Sequence, residues 1–479
     1  MNAKMVWLGA ALALGLATAA VCGDPALDIG SRRELFVDDF LVDRFGGDAR
    51  LELQRPTPRE VVLVTDRPWE GNTSAYFTVF QDGRRYRMYY RGSHFDEKNR
   101  RATHPEVTCY AESSDGLHWT RPELGLFEFG GSRQNNIVWA GPGTHNFTPF
   151  LDTNPGAEAE ARYKALASDG AGRKHGLYAF QSPDGIHWKL MQEEPVITAG
   201  AFDSQNLAFW DPVRKQYRAY WRIFTEGVTA GGVWRPGGYR AIRTATSADF
   251  LRWGPHADLT YADTRLEHLY TNAVRVYERA PHLFIGFPTR FHPERGEQVE
   301  PIFMSSRDGV HFRRFAEPVI PVTAPEDRGG NRSNYMTWGL VRLPGDDRHY
   351  SVYATEAYYR GPAGRVRRFT YRVDGFVSVR ARQGELVTKP LRFQGNWLSV
   401  NYAAPEGEVR VEIQDASGVP IEGYRASQCV ALRGDAIEQG VAWQKGADVG
   451  RLAGQPVRLR FVLRNADVFA FTFGAGPHP

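Results

Sequence analysis

Along most of this chain apolar and polar residues alternate with a period of two, in short runs interrupted by Gly, Asp and Pro. That is the pattern of half-buried strands, not of helices. Early in the chain the runs fall at residues 75–80, 86–91, 108–113 and 117–121, broken at Asp82-Gly83 and by a loop spanning 92–106. Further pairs follow at 147–151 with 163–168, 207–210 with 217–222, 273–277 with 283–287, and 335–341 with 350–355.

A repeat organises these pairs. Ser114-Asp115-Gly116-Leu117-His118-Trp119 returns as Pro183-Asp184-Gly185-Ile186-His187-Trp188, as Ala248-Asp249-Phe250-Leu251-Arg252-Trp253, as Arg307-Asp308-Gly309-Val310-His311-Phe312, and in worn form as Asp374-Gly375-Phe376. The copies stand about 60 to 70 residues apart, a period that signals repeated supersecondary units. Asp-Gly suits a tight hairpin turn because Gly accepts positive φ, and the aromatic that follows can anchor an outer strand between neighbouring units. Four short strands per unit is the blade arrangement, so the fold expected is an all-β, five-bladed β-propeller over residues 65–386. Independently, an Asn precedes each inner strand, at Asn72, Asn146, Asn206, Asn272 and Asn334. Each can cap its own turn. Because the innermost strands of a propeller all start at one central funnel, the five loops should converge.

Beyond the repeat, residues 387–479 alternate strictly through Val409-Arg410-Val411-Glu412-Ile413 and Val457-Arg458-Leu459-Arg460-Phe461, which predicts a C-terminal β-sandwich accessory domain. Residues 23–64 form an N-terminal extension with the run Leu35-Phe36-Val37, able to pad either domain. Residues 1–22 have the make-up of a signal peptide: Lys4, an apolar run, then Ala17 and Ala19 before a cleavage point. The run is short for a membrane span, so a secreted or periplasmic protein is expected. Cys22 would mark a lipoprotein, but Val21 occupies the place where such signals want a small residue. Past the leader only Cys109 and Cys429 remain, which excludes a disulfide framework, and no Cys/His spacing suits a metal, so no cofactor is expected. A net charge of +4, spread along the chain, does not suggest nucleic-acid binding.

Candidate chemistry sits directly upstream of the five Asn positions: Trp69 and Glu70, His145, Asp203, Glu267 with Tyr270, and Arg332. Two carboxylic acids flanking a bond are the minimum equipment for glycoside hydrolysis, one as proton donor and one as base or nucleophile. Glu70, Asp203 and Glu267 are the first candidates, with Glu267 as general acid, and Glu356 reaches the same funnel from the end of a second strand. Arg91, Arg222 and Arg290 end second strands in the same way, with Asp169 at the matching place in the second unit. Guanidinium forks bind planar anions, so this rim would suit a carbohydrate carrying a carboxylate or sulfate, with Asn72, Asn206, Asn272, His145, Trp69, Tyr270 and Arg332 as further contacts. Asp211-Pro212 falls in a turn on the far side, and Asp38-Asp39 precedes the first unit and is a weaker candidate.

The five Ser-x-Asp-Gly-x-x-Trp-like hairpins, the polar loops before inner strands and the trailing β-domain resemble the invertase/inulinase and arabinanase groups of glycoside hydrolases. The hairpins are also similar to the Asp-boxes of sialidases. The invertase signatures, an Asn-Asp-Pro nucleophile, an Arg-Asp-Pro stabiliser and a Glu-Cys acid, are not retained, so the resemblance implies only one acid per inner strand. In arabinanases a channel His helps to hold a cation, and His145 is the residue here that would match it. The function expected is that of a secreted glycoside hydrolase. The alternatives are a non-catalytic carbohydrate-binding propeller and an envelope protein-interaction propeller, and converging carboxylates separate the first from these two.

Overall fold

The computed structural model describes residues 26–168, 174–321 and 334–476. The expected leader, Asp169 and Arg332 lie outside these residues. Nearly all the described structure is strand, and its only helical elements are single 3₁₀ turns such as Ala159–Ala161.

The strands follow the propeller plan in five successive sheets. The first comprises Ala75–Asp82, Arg85–Gly92, Val107–Ser113 and Ile137–Trp139. Its fourth strand is thus not the expected 117–121, which makes one bridge, Glu112 to Thr120, before the chain loops away and the buried pair Ile137-Val138 fills the edge. The second sheet comprises Thr148–Leu151, Tyr163–Ser168, Leu177–Ser182 and Lys189–Leu190. The third has Leu207–Asp211, two long strands Gln216–Ala230 and Val233–Ser247, and Ala257–Asp258. The fourth is built on Arg275–Val276, Phe284–Gly286, Gln298–Ser306 and His311–Pro318.

The fifth sheet closes the ring. His349–Glu356 and Arg365–Arg372 pair, Met336 and Val341 bridge to Ala354 and Ser351 on the inner side, and Thr57–Val64 supplies the outer strand. Part of the N-terminal extension therefore serves as the edge of the last sheet, satisfying backbone groups that an open edge would expose. At the inner end Val79 and Trp338 join the first sheet to the fifth through two backbone bonds, Val79 N to Trp338 O and Trp338 N to Phe77 O, both 2.9 Å.

The repeated motif forms the turn its sequence implies. In the second copy Ser182 Oγ accepts from the Gly185 amide at 2.9 Å, the Asp184 carboxylate accepts from the amides of Ile186 and His187, and Trp188 Nε1 donates to Gly185 O. Gly185 needs its freedom, with φ of +77°. Three of the turns are also gripped from the neighbouring sheet: Tyr89 OH donates to Gly185 O, Tyr220 OH to Gly309 O, and Tyr353 OH of the fifth sheet to Gly116 O of the first.

The remaining strands form one nine-stranded sheet, from Leu27–Gly30 and Val42–Gly47 at the N-terminal side through Val377–Thr388, Trp397–Asp415 and Leu432–Gly440 to Val457–Gly474. It has its own core, including Ile29, Phe36, Leu386, Val411, Phe461 and Phe471. The expected boundary at 386/387 falls inside Val377–Thr388, which pairs with Val457–Gly474 from Val379 onward. Asp38 and Asp39 serve the joint between this sheet and the propeller, pairing with Arg307 at 2.9 Å and Arg313 at 2.8 Å. Beside them Glu34 is fully buried; burial pushes its pKa up, but the bond from His282 and the charge of Arg307 outweigh this and hold it at about 2.

Candidate functional site

The innermost strand of the first sheet separates two openings. Its start, at Thr73 and Tyr76, lines a cleft of about 380 Å³. Its end, from Thr78 to Gln81, lines a second opening with Phe209, Pro212 and Trp338. The cleft thus lies at the end where the polar loops converge, and Asp211-Pro212 belongs to the other. There Asp211 accepts from the amides of Val213 and Arg214, as a turn residue does.

His145 sits between two carboxylates in the cleft. Its Nδ1 lies 2.9 Å from Glu106 Oε2 and its Nε2 lies 2.8 Å from Asp203 Oδ1. Burial works against the imidazolium, but the bonds to Asp203 and Glu106 outweigh it and raise the pKa of His145. The opposite holds for the acids. Burial pushes Asp203 up, while the bond with His145 and the charge of Arg222 at 3.6 Å bring it below its ordinary value. Glu106 is lowered against its burial by the same His145 and by Arg91 at 3.4 Å. Below the raised pKa of His145 and above the lowered ones of the two acids, the trio reads carboxylate, imidazolium, carboxylate. Asp203 is its open member, with over half of its side chain exposed.

Arginines and aromatic rings frame this trio. The Arg91 guanidinium donates to Thr73 O at 2.8 Å and Tyr358 OH at 2.9 Å, and stacks 4.9 Å over Tyr76. Arg222 donates to Ala201 O at 3.0 Å and lies 4.6 Å over Tyr270. Tyr335, Tyr358, Tyr359 and Phe291 complete the walls. Three non-glycine residues lining the cleft have left-handed backbones, Tyr76 with φ of 55°, Glu297 with 62° and Tyr359 with 58°. Such strain, about 1–3 kcal/mol per residue, gathers where surrounding structure fixes side chains in functional positions.

Of the residues expected from sequence, Asp203, His145, Arg91 and Tyr270 come together in this cleft. Arg222 reaches it through Asp203 and Tyr270. The other candidate acids do not line it. Glu70 is buried, receives Tyr90 OH at 2.5 Å and Arg121 Nη1 at 2.6 Å, and has a pKa raised by burial. Glu356 is buried between Arg365 and Arg367. Glu267 lies between Arg290 at 2.9 Å and Arg314 at 3.4 Å, with Arg290 also holding Glu300. Trp69 turns toward Asn136 and Phe129. Asn72, Asn146, Asn206, Asn272 and Asn334 are buried and tie loops together: Asn72 Nδ2 donates to Phe95 O and Gly361 O, Asn146 to Phe202 O and Ser204 O, Asn206 to the same two carbonyls, Asn272 to Gln205 O, and Asn334 to Pro321 O.

Besides the aromatic walls, three charged cleft residues escape the sequence reading. Glu106 closes the loop between the second and third strands of the first sheet, and Arg240 and Glu297 come from the third and fourth sheets. The available signal for Arg240 is the length of alternating sequence on both sides of Gly231-Gly232, where the third sheet's hairpin extends beyond its neighbours.

No protein-family model and no curated protein matches this chain. Solved structures do. A β-1,2-mannobiose phosphorylase from Listeria innocua, in complex with β-1,2-mannobiose, shares 11% identity over 67% of this chain and 97% of that one, with a TM-score of 0.48. An endo-arabinase from Bacteroides thetaiotaomicron shares 10% over 66% and 99%, with a TM-score of 0.42. An N-acetylgalactosamine deacetylase from F. plautii, in complex with blood group B trisaccharide, shares 13% over 86% and 95%, with a TM-score of 0.40.

Proposed function

We propose that the cleft is the active site of an exported glycoside hydrolase, with residues 1–22 as its leader. The observation that carries this reading is Asp203: a carboxylate exposed in an aromatic-walled cleft and bonded directly to an imidazole of raised pKa. Passing the Nε2 proton of His145 along the 2.8 Å bond makes Asp203 a carboxylic acid, able to protonate a leaving glycosidic oxygen. Glu106 holds the other ring nitrogen and keeps the imidazolium charged until the transfer. Glu297, exposed on the cleft wall and without an ion-pair partner among the described residues, supplies in this reading the second carboxylate such chemistry needs, the one that activates water. The rings of Tyr270, Tyr335 and Tyr359 offer stacking faces to sugar.

The test is hydrolysis of a glycan panel by the full chain and by Asp203→Asn. Loss of the proton-transfer partner lowers kcat by about 10² to 10⁴ with little change in KM. Ordinary turnover by Asp203→Asn overturns the assignment.

One observation favours a second reading, a propeller that binds glycan without cleaving it. Both acids that flank His145 are held in the ionised form, as suits hydrogen-bond acceptors for sugar hydroxyls. Binding without turnover across the panel is the outcome that selects it.

A further inference from the structure

Arg240 differs from every other arginine of the cleft region. Arg91 is paired with Glu106, Arg222 with Asp203, and Arg290 with Glu267 and Glu300. The Arg240 guanidinium has no ion pair and no hydrogen bond among the described residues, and its Nε is buried without a partner. Aromatic rings hold it in place: its Cζ lies 4.3 Å from the ring centre of Phe291, 5.3 Å from Phe224 and 5.4 Å from Tyr270. Phe224 and Arg240 face each other across the long hairpin of the third sheet, so the extension of that hairpin delivers Arg240 to the cleft wall with Phe224 beside it.

A half-buried guanidinium with its Nε out of reach of water and no counter-anion is costly, and stacking on rings fixes its plane while leaving its outer N–H edge free. Burial and the neighbouring Arg222 both lower its pKa, the signature of a cation short of negative charge. Asp203, whose charge acts on Arg240, is already engaged by His145 and Arg222.

We propose that Arg240 is the anchor of a subsite for an oxyanion substituent on the sugar, a uronate carboxylate or a sulfate ester, received by the guanidinium edge beside Tyr270. This deepens the glycan reading of the cleft and rests on it. The arrangement discriminates by charge: a neutral sugar in the same place leaves the guanidinium uncompensated, whereas an oxyanion accepts two parallel N–H bonds.

Calorimetric titration of the full chain with a digalacturonate, a 6-sulfated digalactoside and the neutral digalactoside tests this. Either charged probe should bind about 10- to 100-fold more tightly than the neutral one, and which of them does so distinguishes carboxylate from sulfate. Arg240→Gln should remove the preference and leave binding of the neutral probe intact. Arg240→Lys should restore part of it, since charge returns without the fork. Equal binding of all three probes, or no binding of any, overturns the proposal, as does equal weakening of charged and neutral probes in Arg240→Gln. Binding is measured apart from turnover, so a charge preference in a protein that hydrolyses nothing sinks the hydrolase reading and leaves the subsite standing.

Discussion

Glu356 and Asp203 both stand near the starts of innermost strands, one ending a second strand and the other preceding a first, yet their surroundings are opposite. Glu356 is buried and saturated by two guanidiniums, Arg365 and Arg367. Asp203 keeps half of its surface open and shares a proton with His145. Glu70, clasped by Tyr90 and Arg121, and Glu267, between Arg290 and Arg314, fall on the side of Glu356. An acid at the funnel end of a blade is thus a common device here for holding an arginine in place. In the function proposed above, the acid used for chemistry is the one whose partner is an imidazole that can give up its proton.

The comparison breaks most visibly at Glu356. Removing one partner from a buried, hydrogen-bonded ion pair leaves uncompensated charge, and Glu356→Ala should cost about 3–5 kcal/mol of folding free energy. Urea denaturation measures it. The folded fraction should still bind glycan, because Glu356 does not line the cleft. A variant of ordinary stability with lost turnover would move Glu356 into the site and erase the distinction from Asp203.

A smaller effect is expected from Glu106→Gln. The pKa of His145 is raised above its ordinary value of about 6.5. Its imidazolium, and the stability that this charge contributes, is fully present below that value and lost as pH rises through the raised one. Glu106 and Asp203 are lowered, so their contribution is present above the ordinary carboxylate range and lost as pH falls through the lowered values. Turnover bounded on both sides follows. Taking away one of the two charges that hold the imidazolium lowers the pKa of His145 and moves the alkaline limb to lower pH, which a pH profile of kcat measures. An unmoved alkaline limb would show that His145 is only a spacer between acids.

What was legible from the sequence divides along the same line between local and assembled features. The Asp-box turns, the alternating strands and the convergent loops are written within a few residues, and so were Asp203 and His145 as loop residues beside an Asn. The edge strand Thr57–Val64 was not, since its partner Arg365–Arg372 lies some three hundred residues away in the chain. The same holds for the fate of the acids. Nothing near Glu70 reveals Arg121, which reaches it from beyond the first Asp-box turn, and nothing near Glu106 reveals His145 of the next sheet. Arg240 was hidden for a different reason, as one more arginine on a polar hairpin whose lack of a partner emerges only when every neighbour is in place.

The smallest expected effect lies in the part of the molecule that was easiest to read. Ser182 Oγ accepts from the amides of Gly185 at 2.9 Å and Asp184 at 3.3 Å and donates to Asp184 Oδ1 at 3.1 Å. The carboxylate it supports is held at about 2, burial raising it and the amide and side chain of His187 lowering it further. Ser182→Ala removes a hydroxyl with two accepted bonds and one donated bond from a turn that keeps its others, including Tyr89 OH to Gly185 O, so the cost should be about 1 kcal/mol, since each such bond is offset by bonds to water in the unfolded chain. A shift of the denaturation midpoint measures it. Because the turn lies on the outer side of its sheet, between Leu177–Ser182 and Lys189–Leu190, turnover per folded molecule should stay at the wild-type level. Loss of turnover at unchanged stability would mean that these turns act on the cleft, and the separation of holding groups from reacting groups would fail at its simplest point.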